Sequence, residues 1–127
     1  MERASAVGRS GADVVVMLSR GEVWWVQLPV PDGKVRPVVI LHRDSVVNRL
    51  NAVLAACCTT TARGLPTEVS LDTVDGMPAA CVVSIDNTIL VRRDQLRRRI
   101  TKLSAAKMGA VCDALELATG CDRRART

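Results

Sequence analysis

The sequence predicts a mainly β (α+β) fold: a small, strongly curved, mostly antiparallel sheet with one docked C-terminal helix. Short valine-rich runs recur along the chain, and valine favours strands. Proline and Asp-Gly turn residues separate these runs. A helical apolar stripe comes last in the chain. The 127 residues are enough for one domain with a single core.

The strand predictions follow the apolar runs in chain order. The first predicted strand covers residues 22–28, and a Pro- and Asp-Gly-containing loop at 29–34 leads to the second at 36–41. A short helical turn is expected within residues 43–50. The remaining predicted strands cover residues 52–58, 68–71, 81–85, 89–91 and 98–103.

The last element is predicted to be a helix over Ala105–Thr119. Ser104 can accept hydrogen bonds from the free amides of its first turn, and Gly120 suits a left-handed C-terminal stop. Apolar side chains recur at helical spacing and predict the buried stripe, which consists of Met108, Val111, Cys112, Leu115 and Ala118.

The composition limits what the core contains. Phe and Tyr are absent, so Trp24 and Trp25 are the only aromatic residues, and valine, leucine and alanine must fill the interior. No apolar run approaches the ~20 residues that a membrane-spanning helix needs, so no membrane partner is expected.

A positive charge points towards an acidic partner. Eighteen Lys and Arg residues against thirteen Asp and Glu residues give a net charge of +5, which fits nucleic-acid binding. The basic residues concentrate in one stretch opposed by Asp94, which contains Arg92, Arg93, Arg97, Arg98, Arg99 and Lys102. The alternative for this stretch is an ordinary solvated rim.

The five cysteines do not form a metal-binding pattern. They are odd in number and have no CxxC spacing, and the adjacent Cys57 and Cys58 should point to opposite faces of a strand. We therefore predict buried free thiols in a reducing, cytoplasmic location, with no metal and no cofactor.

The two ends of the chain differ from the middle. Residues 1–18 are expected to form a flexible extension or to lie upstream of the working translation start, and residues 122–127 form a basic tail. The predicted domain covers residues 19–121.

Arg36 and a threonine triplet carry the clearest candidate chemistry. Arg36 begins the second predicted strand, and Thr59, Thr60 and Thr61 follow the third. A guanidinium matches phosphate in shape and charge, and a hydroxyl can bond the same group, so a phosphodiester substrate is indicated. His42 is the single histidine and is a weaker candidate for a general base.

A series of short motifs, in this order, resembles the MazF (PemK/Kid-like) family of toxin endoribonucleases over residues 19–121. Each motif is weak alone, but the ordered set is specific. The motifs are Arg20-Gly21-Glu22-Val23-Trp24, Arg36-Pro37-Val38-Val39, Thr59–Thr61 with the segment 63–69, Val83-Ser84-Ile85-Asp86-Asn87, and the segment 99–104 with the helix.

The resemblance implies an SH3-like barrel that forms a homodimer. It also implies metal-independent cleavage of single-stranded RNA by the substrate's own 2′-hydroxyl, with neutralisation by a cognate MazE-like antitoxin. Arg36 matches the family's catalytic arginine. Thr59 matches its catalytic threonine when the alignment is anchored on Leu65-Pro66, while Thr60 and Thr61 remain alternatives.

Substrate-binding residues are expected around this pair. Asn87 could read a base edge, and Trp24 or Trp25 could stack on a base. The loop at 30–34 is shorter than in many relatives, and Ile89 replaces their arginine. The expected set is Trp24, Lys34, Thr60, Thr61, Arg63, Asp86 and Asn87.

Two non-catalytic alternatives accompany the nuclease prediction. The same barrel lineage includes gyrase poisons, and an inactive homologue could bind an antitoxin and regulate its operon. The presence of both Arg36 and the threonine triplet favours catalysis, since a pure binder needs neither in that register.

Overall fold

The computed structural model describes residues 16–29 and 31–121, so most of the expected N-terminal extension and the basic tail lie outside the described residues. The described residues contain two helices, α1 (Asp44–Val47) and α2 (Ala105–Thr119), with single 3₁₀ turns at Thr73–Asp75 and Arg93–Gln95. The strands are β1 (Glu22–Gln27), β2 (Val35–Ile40), β3 (Ala52–Thr59), β4 (Glu68–Leu71), β5 (Cys81–Arg92) and β6 (Leu96–Lys102).

The six strands form one sheet in the order β4-β5-β3-β2-β1-β6, and each neighbouring pair is antiparallel. The sheet curls into a half-barrel, so the predicted fold class is confirmed. The pairs Val26↔Arg36 in β1–β2 and Val38↔Cys57 in β2–β3 set the register near the predicted catalytic residues.

The two strands predicted at 81–85 and 89–91 are one continuous strand, β5, and this prediction was wrong. Between Ala56 and Cys57 of β3 the partner in β5 changes from Thr88 to Ser84, which leaves residues 85–87 in a bulge. The Asp-Asn pair therefore bends a strand instead of ending it, because β3 pairs with β5 on both sides of the bulge.

Two apolar clusters form on opposite faces of the sheet. One lies beneath α2 and includes Val39, Cys58 and Val83 with Met108 and Val111 of the helix. The other is built around Val38, Ile40, Val47, Val53 and Val91. Burying each of these valines contributes about 1.5–3 kcal/mol, which is how a chain without Phe or Tyr forms a core.

Helix α2 begins and ends where the sequence predicts. The Ser104 hydroxyl accepts a 3.2 Å hydrogen bond from the Lys107 amide, and Gly120 ends the helix in the left-handed conformation (φ +68°). The buried side chains are Met108, Val111 and Ala114, while Cys112 and Leu115 are half-buried. The expected burial of Ala118 was wrong, because the last turn of the helix is exposed.

The folded domain includes residues ahead of the expected boundary at 19. Leu18 is buried, and its amide and carbonyl both bond to the side chain of Asn48. The Arg93 guanidinium donates to the carbonyls of Val16 (2.6 Å) and Leu50 (2.8 Å). Arg93 thus joins the segment before β1 to the segment before β3, and its burial lowers the pKa of its guanidinium.

All five cysteines are free thiols, but the prediction that they are buried holds fully for Cys58 alone. Cys57, Cys81 and Cys112 are half-buried, and Cys121 is exposed beyond the end of α2. Cys57 and Cys58 pack in opposite clusters, as their adjacency in a strand predicts. Among the described helices, none has the length and apolarity to cross a membrane.

Candidate active site

Arg36 lies on β2 with its side chain 41% exposed. Its Nη2 donates to Asp32 Oδ2 at 2.8 Å. Asp32 also accepts from the Lys34 amide at 2.9 Å, and this bond, followed by the charge of Arg36, holds the pKa of the Asp32 carboxyl below its usual value. The Arg36 guanidinium, near the start of β2, is therefore paired with a carboxylate that solvent can reach.

Thr59 is the last residue of β3 and is half-buried. Its Oγ1 accepts a 3.1 Å hydrogen bond from the Thr61 amide, which fixes the hydroxyl oxygen and leaves its hydrogen available to donate. Thr60 and Thr61 are exposed beyond the strand end. Thr59 is consequently the member of the triplet that the sheet positions.

The sheet register brings Arg36 and Thr59 together. Extending the Val38↔Cys57 pairing by two residues places Arg36 opposite Thr59 on the same face. The charge of Arg36 also acts on the Cys57 thiol between them, although burial is the larger influence and raises the pKa of Cys57. The two residues therefore lie on neighbouring strands and line the same cavity.

Arg36 and Thr59 border one open cavity of about 510 Å³. A guanidinium and a hydroxyl on such a wall suit the non-bridging oxygens of a phosphate. The other lining residues are Trp25, Leu28, Val35, Pro37, Cys57, Cys58, Thr60, Met77, Pro78, Ala79 and Cys81.

Comparison with known proteins decides the family. A family model described as PemK-like, MazF-like toxin of type II toxin–antitoxin system matches residues 19–119. The chain belongs to this family. It is 42% identical over 105 residues to the probable endoribonuclease MazF2 of Mycobacterium tuberculosis, which covers 82% of this chain and all of that protein. The identification as a MazF-like toxin endoribonuclease is confirmed.

Solved MazF structures share this fold. The Mycobacterium tuberculosis toxin MazF-mt6 superposes with a TM-score of 0.72 at 40% identity, covering 80% of this chain and 98% of that one. A mycobacterial endoribonuclease in complex with its cognate antitoxin gives a TM-score of 0.74 at 26% identity, covering 83% of this chain and 97% of that one.

The two tryptophans of this MazF-like toxin have different surroundings. Trp24 packs against the cluster on the Arg36 face, and its indole Nε1 donates to Glu22 Oε1 at 3.1 Å. Trp25 lines the cavity and lies across the strands from Pro37 and Arg98. Trp25 is therefore the better placed to stack on a base, and the role expected of Trp24 stays a prediction.

Of the other predicted substrate residues, Thr60 lines the cavity, whereas the rest lie outside its lining: Lys34, Thr61, Arg63, Asp86 and Asn87. Lys34 and Arg63 are exposed in loops. Asp86 and Asn87 sit in the β5 bulge, where Asp86 accepts from the Thr67 hydroxyl at 2.7 Å and Asn87 Nδ2 donates to Ser84 Oγ at 2.8 Å. Asp86 and Asn87 thus make structural contacts at the bulge, and their roles in RNA recognition stay predictions.

The basic stretch divides into structural and unpaired residues. Arg99 pairs with Glu22 at 3.1 Å, and Arg97 donates to the Asp94 carbonyl at 2.8 Å. Within the part of the chain that the structure describes, the Arg98 side chain makes no hydrogen bond or ion pair, and its pairing with Trp25 places it on the Trp25 face of the sheet. Arg98 is thus a cation across the strands from a cavity-lining tryptophan, a position that the sequence did not reveal.

His42 has a structural contact. Its Nδ1 accepts a 2.7 Å hydrogen bond from the Leu54 amide, so this nitrogen carries no proton and satisfies a backbone donor of β3. Over residues 16–29 and 31–121, no three His, Cys, Asp or Glu side chains form a group that could hold a metal ion.

Glu68 organises the loop after Thr59 and was missed by sequence reasoning. Its carboxylate accepts from the amides of Arg63 (3.0 and 3.2 Å) and Leu65 (3.2 Å). The signal in the sequence was a carboxylate closing a loop that contains Gly64 and Pro66, where loop amides lack strand partners.

Replacing Glu68 with alanine is expected to loosen this loop. Charge-assisted hydrogen bonds of this kind contribute about 1.5–3 kcal/mol each to local structure. Amide hydrogen exchange at Arg63 and Leu65 should accelerate, and RNA cleavage should fall. Glu116→Ala, at an exposed position of α2, is the control. Unchanged exchange at Arg63 and Leu65 would show that Glu68 does not hold the loop.

Proposed function

We propose that this MazF-like toxin cleaves single-stranded RNA in the cavity beside Arg36 and Thr59. The observation that carries the proposal is that Arg36 and Thr59 both line one open cavity. A phosphodiester bound there would meet a fixed cation and a hydroxyl donor together, whereas a protein that only binds an antitoxin needs neither.

The proposed chemistry is attack of the substrate's own 2′-hydroxyl on the adjacent phosphorus. The P–O5′ bond breaks, and the products are a 2′,3′-cyclic phosphate and a 5′-hydroxyl. Negative charge gathers on the non-bridging oxygens in the transition state, where a preorganised guanidinium and hydroxyl stabilise it. We assign Arg36 the stabilisation of this charge, and the acid and base of the reaction stay unassigned.

Substrate must replace Asp32 as the partner of Arg36. The Asp32–Arg36 pair is 41% exposed at both side chains, and exposed ion pairs of this kind contribute little free energy. A phosphate group can therefore take the guanidinium at small cost. Asp32 meanwhile keeps the guanidinium oriented before RNA arrives.

We also propose a homodimer, neutralisation by a MazE-like antitoxin, and action in the cytoplasm. The solved mycobacterial relative in complex with its cognate antitoxin supports the antitoxin partner. The competing functions are a gyrase-poison-like toxin and an antitoxin-binding regulator. Only the nuclease proposal requires RNA strands to be cut by the purified protein.

The test is incubation of purified protein with a long single-stranded RNA in EDTA. We expect fragments with 2′,3′-cyclic phosphate and 5′-hydroxyl ends. Thr59→Ala should slow cleavage more than Thr60→Ala or Thr61→Ala, because Thr59 alone of the three ends the strand beside Arg36. Intact RNA with the wild-type protein, together with inhibition of gyrase supercoiling, would replace the nuclease proposal with the gyrase-poison one.

A further inference from the structure

Three of the five cysteines line the cavity that holds Arg36 and Thr59. Cys57 and Cys58 are at the end of β3, and Cys81 begins β5. The register Cys58↔Val83 and Thr59↔Val82 places Cys81 diagonally across from Cys58, two residues beyond its direct partner. Residues two apart on a strand share a face, so the Cys58 and Cys81 side chains are on the same side of the sheet. Both pack with the cluster beneath α2.

The two thiols differ in burial. Cys58 is 4% exposed, while Cys81 is half-buried at the cavity wall. The more deeply buried thiol keeps its proton, because a hydrogen bond to Cys81 and burial both raise the pKa of Cys58. That hydrogen bond lowers the pKa of Cys81, against the opposing influences of its partial burial and the Asp75 carboxylate.

The other cysteines lack this arrangement. Cys57 is on the opposite face, and burial raises the pKa of its thiol. Cys112 accepts a hydrogen bond from Arg20 Nη2 on the helix side, away from the cavity. Cys121 is exposed after α2 and is outside the cavity lining. Cys81 thus combines access from the cavity with a neighbouring thiol donor.

We propose that Cys81 is a thiol-modification site that switches off the toxin, with a small disulfide of the glutathione type as its co-reactant. This inference rests on the proposed RNA site, since Cys81 lines the same cavity as Arg36 and Thr59 and an adduct on it would take up space in that cavity. The modification itself needs only the thiol, so the two ideas can fail separately.

The proposed step is thiol–disulfide exchange. The Cys81 thiolate attacks one sulfur of the small disulfide, a new S–S bond forms, and the old S–S bond breaks. The leaving thiolate takes up the proton that Cys81 released. Cys81 is oxidised to a mixed disulfide, and the departing sulfur is reduced to a thiol. A reducing thiol reverses the reaction.

The mixed disulfide should persist instead of passing to an internal disulfide. Diagonal neighbours on antiparallel strands have Cα atoms about 7–8 Å apart. A disulfide cannot span more than about 7 Å without backbone movement. Cys58 is therefore expected to stay a thiol. It acts as a positioning residue, because its hydrogen bond holds the Cys81 thiolate.

The test treats the full-length protein with oxidised glutathione at about pH 6.5, roughly two units below the ordinary pKa of a thiol. Mass spectrometry maps the adduct on each cysteine, and the same samples are assayed for RNA cleavage. We expect Cys81 to be modified before Cys121, and cleavage to fall in proportion to Cys81 occupancy. Dithiothreitol should restore it.

Three variants sharpen the outcome. For each variant, the cleavage rate after treatment is divided by the rate before treatment. This ratio should stay near one in Cys81→Ser and should fall in Cys121→Ser as in the wild type. In Cys58→Ala, Cys81 should need a higher pH to be modified at the wild-type rate. A purely structural role of Cys58 would not shift this pH profile.

The proposal is overturned if Cys121 is modified while Cys81 stays reduced, or if complete modification of Cys81 leaves RNA cleavage unchanged. If the untreated protein cuts no RNA, the proposed function fails. Adduct mapping, together with the Cys58→Ala pH profile, still decides whether Cys81 is the reactive thiol.

Discussion

Replacing Arg36 with alanine is expected to lower the rate of RNA cleavage by about 10²–10³-fold, the typical effect of removing one preorganised group that stabilises transition-state charge. Arg36 is 41% exposed and its described ion pair is to Asp32 in a surface loop, so its removal should leave the fold intact. Circular dichroism and the unfolding midpoint should therefore match the wild type, while single-turnover cleavage of an RNA oligonucleotide slows.

Two further variants make the Arg36 result specific. Arg36→Lys keeps the charge but loses the planar fork, so its cleavage rate should fall between the wild type and the alanine variant. Arg49→Ala removes an exposed arginine outside the cavity lining and should cleave at the wild-type rate. Equal rates for Arg36→Ala and Arg49→Ala would remove Arg36 from the mechanism.

Replacing Gly76 with alanine is expected to destabilise the fold by about 3 kcal/mol. Gly76 follows the 3₁₀ turn at Thr73–Asp75 with φ +94°, a conformation that L residues rarely adopt. An added Cβ would also lie 2.8 Å from Thr101 Cβ of strand β6. The strained backbone and the overlap act together, and the melting temperature should fall by roughly 10 °C.

Gly120→Ala separates the two causes. Gly120 has a positive φ as well (+68°), but a Cβ there would meet no atom within 4 Å. Its substitution should cost only the backbone strain, about 1–2 kcal/mol. Urea unfolding of both variants measures the difference. Equal losses of stability would show that Thr101 moves aside without cost, and that the close approach of the turn to β6 is unimportant.

Helix α2 is an element whose bounds could be predicted from local sequence chemistry. Its bounds follow from Ser104 and Gly120, whose effects act within one helical turn. Strand β5 is an element that local sequence chemistry predicted wrongly. Asp86 and Asn87 have turn-like chemistry, but Thr67 and Ser84 engage their side chains while β3 pairs with the strand on both sides of them. Pairing between distant segments overrides the local preference there.

The candidate site divides in the same way. Arg36 and the threonine triplet could be identified as phosphate-binding chemistry, and ordered motifs pointed to their family. The choice of Trp25 over Trp24 depends on which of the two lines the cavity, and only the folded sheet shows this. The role of Glu68 depends on loop amides that no pattern of residue types displays.

The sequence by itself therefore determined most of the elements, the core composition and the residue types that handle phosphate. It did so because turns, helix caps and apolar periodicity are encoded over a few neighbouring residues. Only the tertiary structure decided that Arg36, Thr59 and Cys81 line one cavity and that Asp32 pairs with the Arg36 guanidinium. Those relations depend on strand register across the curled sheet, where a one-residue shift would turn each side chain to the other face.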